Sequence, residues 1–454
     1  MTKIKMFSLS LVAFAIISCG GDTTETNTKT VGKNSNVAPG LESNTSSESS
    51  SAKDNIFRLN FSDPPTFDPA LVTDTTSASI IVEIFSGLVT LNKELDIIPD
   101  LAESWDISDD GRTYIFNLRD DIKFSNGDKV TASDFKWSIE RAANPDTGSM
   151  NAEVYLGDIV GVTEVIEAGG SLTEVSGLKV IDDRTLEITI DEPKTYFLAK
   201  LTYPTAFVLS EKYVTQQGED WIDQPVGTGP FVMTEYQIGQ TLKLKPNDNY
   251  WGEKAKVDGI IMNLAGGVSM AMYENDEVDI TGVGLADLER VKDPNDPLNR
   301  DLVNVPPQFS LNYIGFNVNM PPFDDVNFRK ALSHAVDKEI IADKIYSGLT
   351  KPAFSIIPPG FPGYSPNIEG LSFDEELAKE YLAKSKYADP ASRPRIIVTI
   401  PGTGGSPGLD TEVISDMWKE TLGVEVEIQQ VEWATYLQDM NRKRLQLWAG
   451  SGWQ

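Results

Sequence analysis

The feature that most constrains the fold is an alternation of strand and helix patterns near the end of the 454-residue chain. Two amphipathic helix patterns separate three short apolar segments that have the length and alternation of strands. The order strand, helix, strand, helix, strand predicts a parallel α/β sheet. Ligands of such sheets bind beyond the carboxyl ends of the strands, which makes Gly402 to Gly408 and Gly450 onward candidate ligand-contacting loops. The five elements are 395–400, 409–422, 424–428, 433–444 and the strand that begins at Leu445.

Earlier parts of the chain also mix strands and helices. Helical spacing is present over 77–88 and 327–336, and a capping box at Thr131 to Asp134 begins a third helix that ends before Pro145. A chain of this length exceeds what one compact core organises, so at least two folding units are expected. Period-two alternation predicts strands over 56–61, 114–118, 185–190, 231–236 and 241–245.

The N-terminus has the form of an export signal. Lys3 and Lys5 precede an apolar run over 6–17, which is shorter than the roughly 20 residues that span a bilayer. The run ends in Ile16-Ile17-Ser18-Cys19-Gly20, which resembles a bacterial lipobox. We therefore expect a signal peptide over 1–18, cleavage before Cys19 and lipidation of its thiol. The alternative is an ordinary signal peptide with an incidental cysteine.

The segment that follows is polar. Residues 20–54 are rich in Ser, Thr, Asn and Gly and contain few apolar residues. Such a composition cannot bury enough surface to fold. We expect residues 19–54 to form a flexible linker between the lipid anchor and the folded part of the chain.

The net charge and the numbers of cysteine and histidine residues argue against several classes of function. The formal net charge of −29 disfavours nucleic acid as a partner, because binding phosphates needs a basic surface. Cys19 is the only cysteine, so neither an intramolecular disulfide nor a thiolate metal cluster can form. His334 is the only histidine and is predicted to be a surface or half-buried structural residue. No metal site and no cofactor are predicted.

Catalytic motifs are also lacking. The glycine-rich stretch 401–408 follows a strand and precedes a helix, but no Gly-Lys-Ser/Thr ends it and Pro407 removes an amide donor. A connection or a ligand-contacting loop fits it better than a nucleotide site. A carboxylate pair could hydrolyse a glycoside, but 68 acidic residues allow such a pair to be drawn almost anywhere. We predict no catalytic residues and no enzyme activity.

From about Ile56 onward the chain resembles the oligopeptide- and dipeptide-binding proteins of ABC importers, the family 5 solute-binding proteins. Several segments carry the resemblance in the family's order. They are Pro64 to Ala70, Ile84 to Val89, Leu101 to Trp105, Asp110 to Tyr114, Lys123 to Asp128, Val130 to Phe135, Gly227 to Phe231, Asn249 to Gly252, and Phe328 to Leu332 continuing through Asp337-Lys338.

The resemblance implies two α/β lobes of the type II periplasmic-binding-protein kind, with an extra domain inserted in the first lobe. The first lobe is predicted to comprise 55–90 and 205–305, the inserted domain 91–204, and the second lobe 306–454. In peptide binders an aspartate follows shortly after the Gly-Trp pair that matches Gly452-Trp453, and this sequence ends before that position. We therefore expect a truncated chain with an incomplete second lobe.

The resemblance also implies a ligand site in which an extended peptide lies between the lobes as an added strand. By position, Ser86, Gly87 and Leu88 correspond to one protein strand beside the ligand, and Gly452, Trp453 and Gln454 to the other. Backbone pairing would give affinity without reading the peptide's sequence.

The expected function is that of an extracytoplasmic, lipid-anchored monomer on the bacterial cell envelope. It would capture peptides and deliver them to the permease subunits of an ABC importer, touching the membrane only through its lipid. The alternatives are a binder of another solute, such as a nickel chelate, haem, an oligosaccharide or an opine, and an extracellular glycoside hydrolase.

Overall fold

A computed structural model describes residues 55–305, 310–361, 363–368, 370–402 and 407–453. The predicted signal peptide 1–18, the lipidated Cys19, the linker 19–54 and the site residue Gln454 lie outside the described residues, as does most of the loop after Gly402. In the part of the chain that is described, no helix has the length and apolar character needed to cross a membrane. The described residues form two compact units, one ending at Thr281 and the other beginning at Gly282.

The first unit contains ten strands and seven α-helices. The strands are β1 Ile56–Asn60, β2 Val89–Leu91, β3 Ile97–Pro99, β4 Ala102–Ile107, β5 Thr113–Leu118, β6 Leu178–Asp182, β7 Thr185–Thr189, β8 Phe231–Gln237, β9 Thr241–Pro246 and β10 Gly259–Asn263. The helices are α1 Thr75–Ile84, α2 Ala132–Ala143, α3 Ala152–Leu156, α4 Val162–Glu167, α5 Phe197–Lys200, α6 Glu211–Gln217 and α7 Ser269–Glu274, with 3-10 turns at Pro145–Thr147, Pro204–Ala206 and Gly218–Asp223.

Three sheets organise this unit. One has the order β1-β10-β9-β8, the second β4-β5-β7-β6, and β2 pairs with β3. The β5 strand buries every second residue, and its Tyr114 and Phe116 lie opposite Ile188 and Leu186 of β7. This alternation places one face of the sheet on the core that helix α2 covers. A second core lies between α1 and the sheet that contains β1.

The second unit is built on one four-stranded sheet with the order β11-β14-β12-β13. Strands β13 and β14 both run parallel to β12, whereas β11 runs antiparallel to β14. The strands are β11 Leu311–Phe316, β12 Ile397–Pro401, β13 Glu427–Val431 and β14 Leu447–Trp453. The helices are α8 Leu288–Lys292, α9 Val326–His334, α10 Lys338–Ile340, α11 Glu375–Lys384, α12 Leu409–Leu422 and α13 Trp433–Asn441, with a π-helical turn at Ile341–Ile345 and 3-10 turns at Pro297–Asp301 and Pro390–Ser392.

The predicted alternation of strands and helices near the chain's end is confirmed. Helix α12 has the predicted bounds and ends at Gly423, whose φ of 61° is the left-handed conformation expected of a C-terminal glycine. The strand predicted over 424–428 begins later, at Glu427. Val424 instead packs at the end of helix α12: it is buried, and its N–H donates to Trp418 O at 3.2 Å.

Two further expectations are corrected. Helix α1 ends at Ile84 rather than at Leu88, since Phe85 takes an extended conformation. His334 is buried rather than half-buried: its Nδ1 lies 2.7 Å from Ser372 O and its ring stacks on Tyr381. Its role is structural, as expected. The division into 55–90 with 205–305, 91–204 and 306–454 remains a prediction.

Candidate ligand-binding segments

The first predicted segment, Ser86–Leu88, lies between α1 and β2 in the first unit. Ser86 and Leu88 are buried. The Ser86 N–H donates to Thr228 Oγ1 at 3.0 Å, and Ser86 O accepts from the Val208 N–H at 3.1 Å. Both backbone groups of Ser86 are therefore used within its own unit.

The carbonyl groups of the next two residues are also engaged. Gly87 O accepts from the Leu101 N–H at 3.2 Å, and Leu88 O accepts from the N–H groups of Asp100 and Ala102 at 3.2 and 3.1 Å. Within the described residues, the Leu88 N–H has no acceptor. Little of this segment's backbone is left for a ligand, and its role in binding stays a prediction.

The turn Gly227–Gly229, which we call the glycine turn, packs against the end of α1 next to the Ser86–Leu88 segment. The Gly229 N–H donates to Ile84 O at 2.8 Å, and a Cβ on Gly229 would lie 2.5 Å from Glu83 O. A Cβ on Gly227 would overlap Ile84 O outright. Only glycine permits this approach, which gives a physical reason for the Gly-Thr-Gly-Pro pattern that the sequence resemblance singled out.

Five side chains that the sequence analysis did not assign to the site lie near one another in the first unit; we call them the junction cluster. Two are buried carboxylates, and the others are a guanidinium, a phenol and an indole. They come from α1, from the ends of β3 and β5, and from the loop after β9. The members are Glu83, Asp100, Arg119, Tyr250 and Trp251.

Two contacts within the junction cluster fix the position of the Arg119 side chain. Arg119 Nε donates to Asp100 O at 2.6 Å, and the guanidinium carbon stands 3.8 Å from the centre of the Trp251 ring. The Trp251 indole N–H faces the Asp100 carboxylate but reaches no acceptor at hydrogen-bond distance. No described residue donates a hydrogen bond to the Glu83 carboxylate, which is 6% exposed.

Burial changes the acidity of three members. It raises the pKa of Glu83 to about 7. Burial also raises the pKa of Asp100 to about 7, although Trp251, Arg119 and the Gly87 N–H oppose the rise. The pKa of Tyr250 is raised to about 12 by burial and by the two carboxylates. One signal was visible in the sequence: Glu83 interrupts the apolar run from Ile80 to Phe85 on the helix face that is buried.

The second predicted segment belongs to β14. Among the described residues, β14 pairs with β12 only at Leu447 and Trp448, and this parallel pairing extends to the Ala449 N–H. The β12-facing edge of β14 therefore has no strand partner there beyond Gly450. On the other edge, β14 pairs with β11 up to Trp453 opposite Leu311. Two residues of β14, Ser451 and Gly452, stand opposite the single Asn312, which makes a β-bulge at the predicted Gly452.

The direction of the backbone groups along β14 follows from one hydrogen bond. The Asn317 N–H donates to Gln446 O at 3.0 Å, so by antiparallel alternation Trp448 and Gly450 direct their groups to β11 and Ala449 directs its groups to the side of β12. Tyr436 Oη donates to Ala449 O at 2.7 Å. Gly450 has no room for a Cβ, which would lie 2.8 Å from the Tyr313 ring.

Aromatic side chains follow the carboxyl end of β13. Trp433 begins α13 and stacks on Tyr436 with ring centres 5.7 Å apart. The Trp433 Nε1–H is buried and has no acceptor among the described residues. Burial raises the pKa of Tyr436, with Tyr313 adding to the rise. The carboxyl ends of β12, β13 and β14, the edge at which ligands of parallel sheets bind, thus carry aromatic rings and an open strand edge.

Neither segment carries a metal-binding arrangement. Across the described residues, no three His, Cys, Asp or Glu side chains are grouped so that they could hold a metal ion.

Comparison with known proteins identifies the family. The sequence model of the bacterial extracellular solute-binding proteins, family 5 middle region, matches residues 96–454. The chain belongs to this family. The resemblance predicted from the sequence motifs is therefore confirmed.

Relatives of this family 5 protein are named for different ligands. It is 30% identical over 432 residues to the dipeptide-binding protein DppE of Bacillus subtilis, covering 92% of this chain and 77% of DppE. It is 32% identical over 401 residues to the probable deoxycholate-binding periplasmic protein YgiS of Escherichia coli, covering 85% of this chain and 73% of YgiS.

Solved structures agree on the fold of this family 5 protein. The crystal structure of a periplasmic oligopeptide-binding protein from Borrelia burgdorferi matches it with a TM-score of 0.79 at 29% identity, covering 88% of this chain and 80% of that structure. The predicted α/β class, that of the two-lobed family 5 binding proteins, is confirmed by this likeness.

Proposed function

We propose that this family 5 solute-binding protein captures peptides outside the cytoplasm and delivers them to the permease of an ABC importer. It catalyses no reaction, acts as a monomer, and is held to the cell envelope by a lipid on Cys19. The observation that carries the proposal is the open edge of β14 at the carboxyl end of a parallel sheet. An extended peptide that adds to such an edge gains main-chain hydrogen bonds whatever its side chains are.

The neighbouring groups suit a peptide ligand. Tyr436 occupies Ala449 O, and the Ala449 N–H is used in the pairing of Thr399 with Trp448. The groups proposed to pair with a ligand therefore lie beyond Gly450, toward the predicted Gly452-Trp453. The Ser86–Leu88 segment is the second proposed contact, through the Leu88 N–H. The names of the dipeptide- and oligopeptide-binding relatives support the same ligand class.

Backbone pairing can be tested with the ligand's own amides. Peptides of two to five residues are screened by thermal shift on the purified chain, where a bound peptide at a hundredfold excess over Kd adds about 2.7 kcal/mol. For the tightest peptide, each amide is N-methylated in turn. Because strand pairing uses every second residue, affinity should fall at alternate positions, and the intervening positions serve as matched controls. An equal loss at all positions, or none at any, contradicts the pairing.

Because one relative is named as a probable deoxycholate-binding protein, a non-peptide solute is the competing ligand class. Mass spectrometry of the ligand that co-purifies with the chain separates the two. A steroid acid, haem, a nickel chelate, an oligosaccharide or an opine in place of peptides would overturn the peptide proposal and leave the solute-binding role intact.

The anchor is tested separately. In cells labelled with a radioactive fatty acid, the wild-type chain should carry label and sediment with membranes. The Cys19→Ser variant should carry none and remain in the soluble extracytoplasmic fraction. Label that persists in Cys19→Ser excludes this residue as the lipid attachment site.

A further inference from the structure

We propose that Tyr436 is a positioning residue for the ligand strand, because its hydroxyl replaces a main-chain donor that Pro401 cannot supply. In this way it fixes the last carbonyl group of β14 before the edge that is left for a ligand. The inference rests on the proposed function, in which a peptide pairs with that edge. It concerns a side chain of helix α13 rather than a residue of the strand itself.

Pro401, the last residue of β12, directs its backbone groups toward β14. The next residue, Gly402, donates its N–H to Val431 O of β13 at 2.8 Å. Successive residues of a strand direct their hydrogen-bonding groups to opposite neighbours, so the groups of Pro401 lie on the other side of β12. The neighbour on that side is β14.

An N–H at position 401 would meet the carbonyl group of Ala449. Thr399 pairs with Trp448 in the parallel register of β12 with β14, so the residue two positions later on β12 would donate to Ala449 O. That residue is proline, which has no N–H. Among the described residues the pairing of the two strands ends at Thr399 and Trp448, and Ala449 O receives no hydrogen bond from position 401.

Tyr436 supplies the donor that position 401 lacks. Its Oη donates to Ala449 O at 2.7 Å, and the side chain is 2% exposed. Helix α13 brings it there, because the helix begins at Trp433 with only Glu432 between it and the end of β13. The Glu432 carboxylate accepts from two N–H groups of the first turn at 2.9 and 3.1 Å, which fixes the start of the helix.

The bond from Tyr436 lies at the boundary between the paired and the open parts of β14. Before it, the Ala449 N–H is used in the pairing with β12. Beyond Gly450, the β12-facing edge has no strand partner among the described residues. A peptide binds more tightly to an edge whose backbone is already ordered, because less conformational freedom is lost on binding. Tyr436 therefore raises affinity through Ala449 rather than through a contact with the peptide.

A role of the Tyr436 hydroxyl in α13 alone makes a different prediction. Tyr436→Phe removes the hydroxyl and keeps the ring that stacks on Trp433. Pro401→Ala introduces an N–H on β12 at the level of Ala449 O. If the hydroxyl acts through Ala449 O, the new N–H compensates for its loss. If the hydroxyl serves only the helix, the new N–H restores nothing.

The test compares Tyr436→Phe with Pro401→Ala/Tyr436→Phe, using the tightest peptide from the thermal-shift screen. Tyr436→Phe should weaken peptide binding about fivefold, the equivalent of one hydrogen bond, and speed amide exchange at Ala449 and Gly450 by a similar factor. The double variant should return both quantities to within about twofold of the wild type. Pro246→Ala/Tyr436→Phe is the matched control, since Pro246 ends strand β9 in the first unit, and it should show no recovery.

Equal affinity and exchange in the two double variants, or no effect of Tyr436→Phe, overturn the positioning role. If Tyr436→Phe does not fold, Pro401→Ala decides alone. Because a carbonyl oxygen accepts two hydrogen bonds, the N–H introduced at position 401 should exchange about tenfold more slowly than an unstructured amide, and an unprotected N–H contradicts the proposal. Failure of every peptide to bind the wild type refutes the proposed function, and amide exchange still decides whether Tyr436 orders β14.

Discussion

Arg141 and Asp68 form a two-pronged ion pair across 73 residues of sequence, with Nη1 3.0 Å from Oδ1 and Nη2 2.6 Å from Oδ2. The pair joins helix α2 to the loop after β1. Asp68 is buried, and its Oδ1 also accepts from the Ala70 N–H at 2.9 Å. The parallel fork of a guanidinium on a carboxylate is the geometry that gives such pairs their strength.

Breaking this pair should destabilise the first unit. In Arg141→Met the carboxylate of Asp68 is left buried without its partner, which we expect to lower the free energy of unfolding by about 3 kcal/mol. Urea denaturation measures the change. Lys129→Met removes a cation from the exposed pair with Asp183, 3.8 Å apart, and should cost less than about 1 kcal/mol. Equal costs for the two variants would contradict the importance of the buried fork.

The junction cluster predicts a pH dependence of stability. The Glu83 pKa is about 7 in the folded chain, above its ordinary value of 4.5. The folded state therefore holds a proton that the unfolded state has lost, so the Glu83 contribution to stability is greatest below pH 4.5 and declines as the pH rises to about 7. Asp100 acts in the same direction.

Glu83→Gln isolates this contribution. The neutral amide avoids the buried charge, so the variant should gain on the order of 3 kcal/mol over the wild type at pH 8 and show no gain at pH 4. Chemical denaturation at both pH values measures the difference. The exposed Glu94→Gln serves as control and should follow the wild type at both. A gain that is the same at pH 4 and pH 8 would rule out the ionisation of Glu83 as its cause.

The glycine turn should tolerate no side chain. In Gly227→Ala the new Cβ meets Ile84 O at the end of α1, and we expect a loss of about 2 kcal/mol or more in unfolding free energy because backbone must move. Gly284→Ala is the control, since nothing lies within 4 Å of its Cβ position. A Gly227→Ala variant as stable as Gly284→Ala would show that the turn can shift freely.

Tyr436→Phe tests the support of the β14 edge. The variant leaves Ala449 O without its donor, which should cost about 1 kcal/mol of stability. It should also speed amide exchange in β14 near Gly450. Tyr364→Phe, at an exposed phenol, should change neither quantity. Unchanged exchange in Tyr436→Phe would mean that the bond to Ala449 O does not order the strand.

Local interactions account for what the sequence determined by itself. The helix over 409–422 with its terminal Gly423 and the cap of α2, where the Thr131 N–H donates to Asp134 Oδ2 at 2.9 Å, depend on residues within a few positions of one another. Apolar periodicity and turn chemistry act over the same short range, so elements of this kind were predictable. The sequence motifs of the family could be recognised for the same reason, since each is a short contiguous segment.

Only the tertiary structure decided the features that depend on distant partners. The helical pattern over 77–88 breaks at Phe85 because the Gly227–Gly229 turn takes Ile84 O and Thr228 takes the Ser86 N–H. The pairing of Asp68 with Arg141, the burial of Glu83 and the open edge of β14 likewise depend on residues far away in sequence. A pattern of hydrophobic residues states which side of an element is buried, but not which group from elsewhere in the chain will reach it.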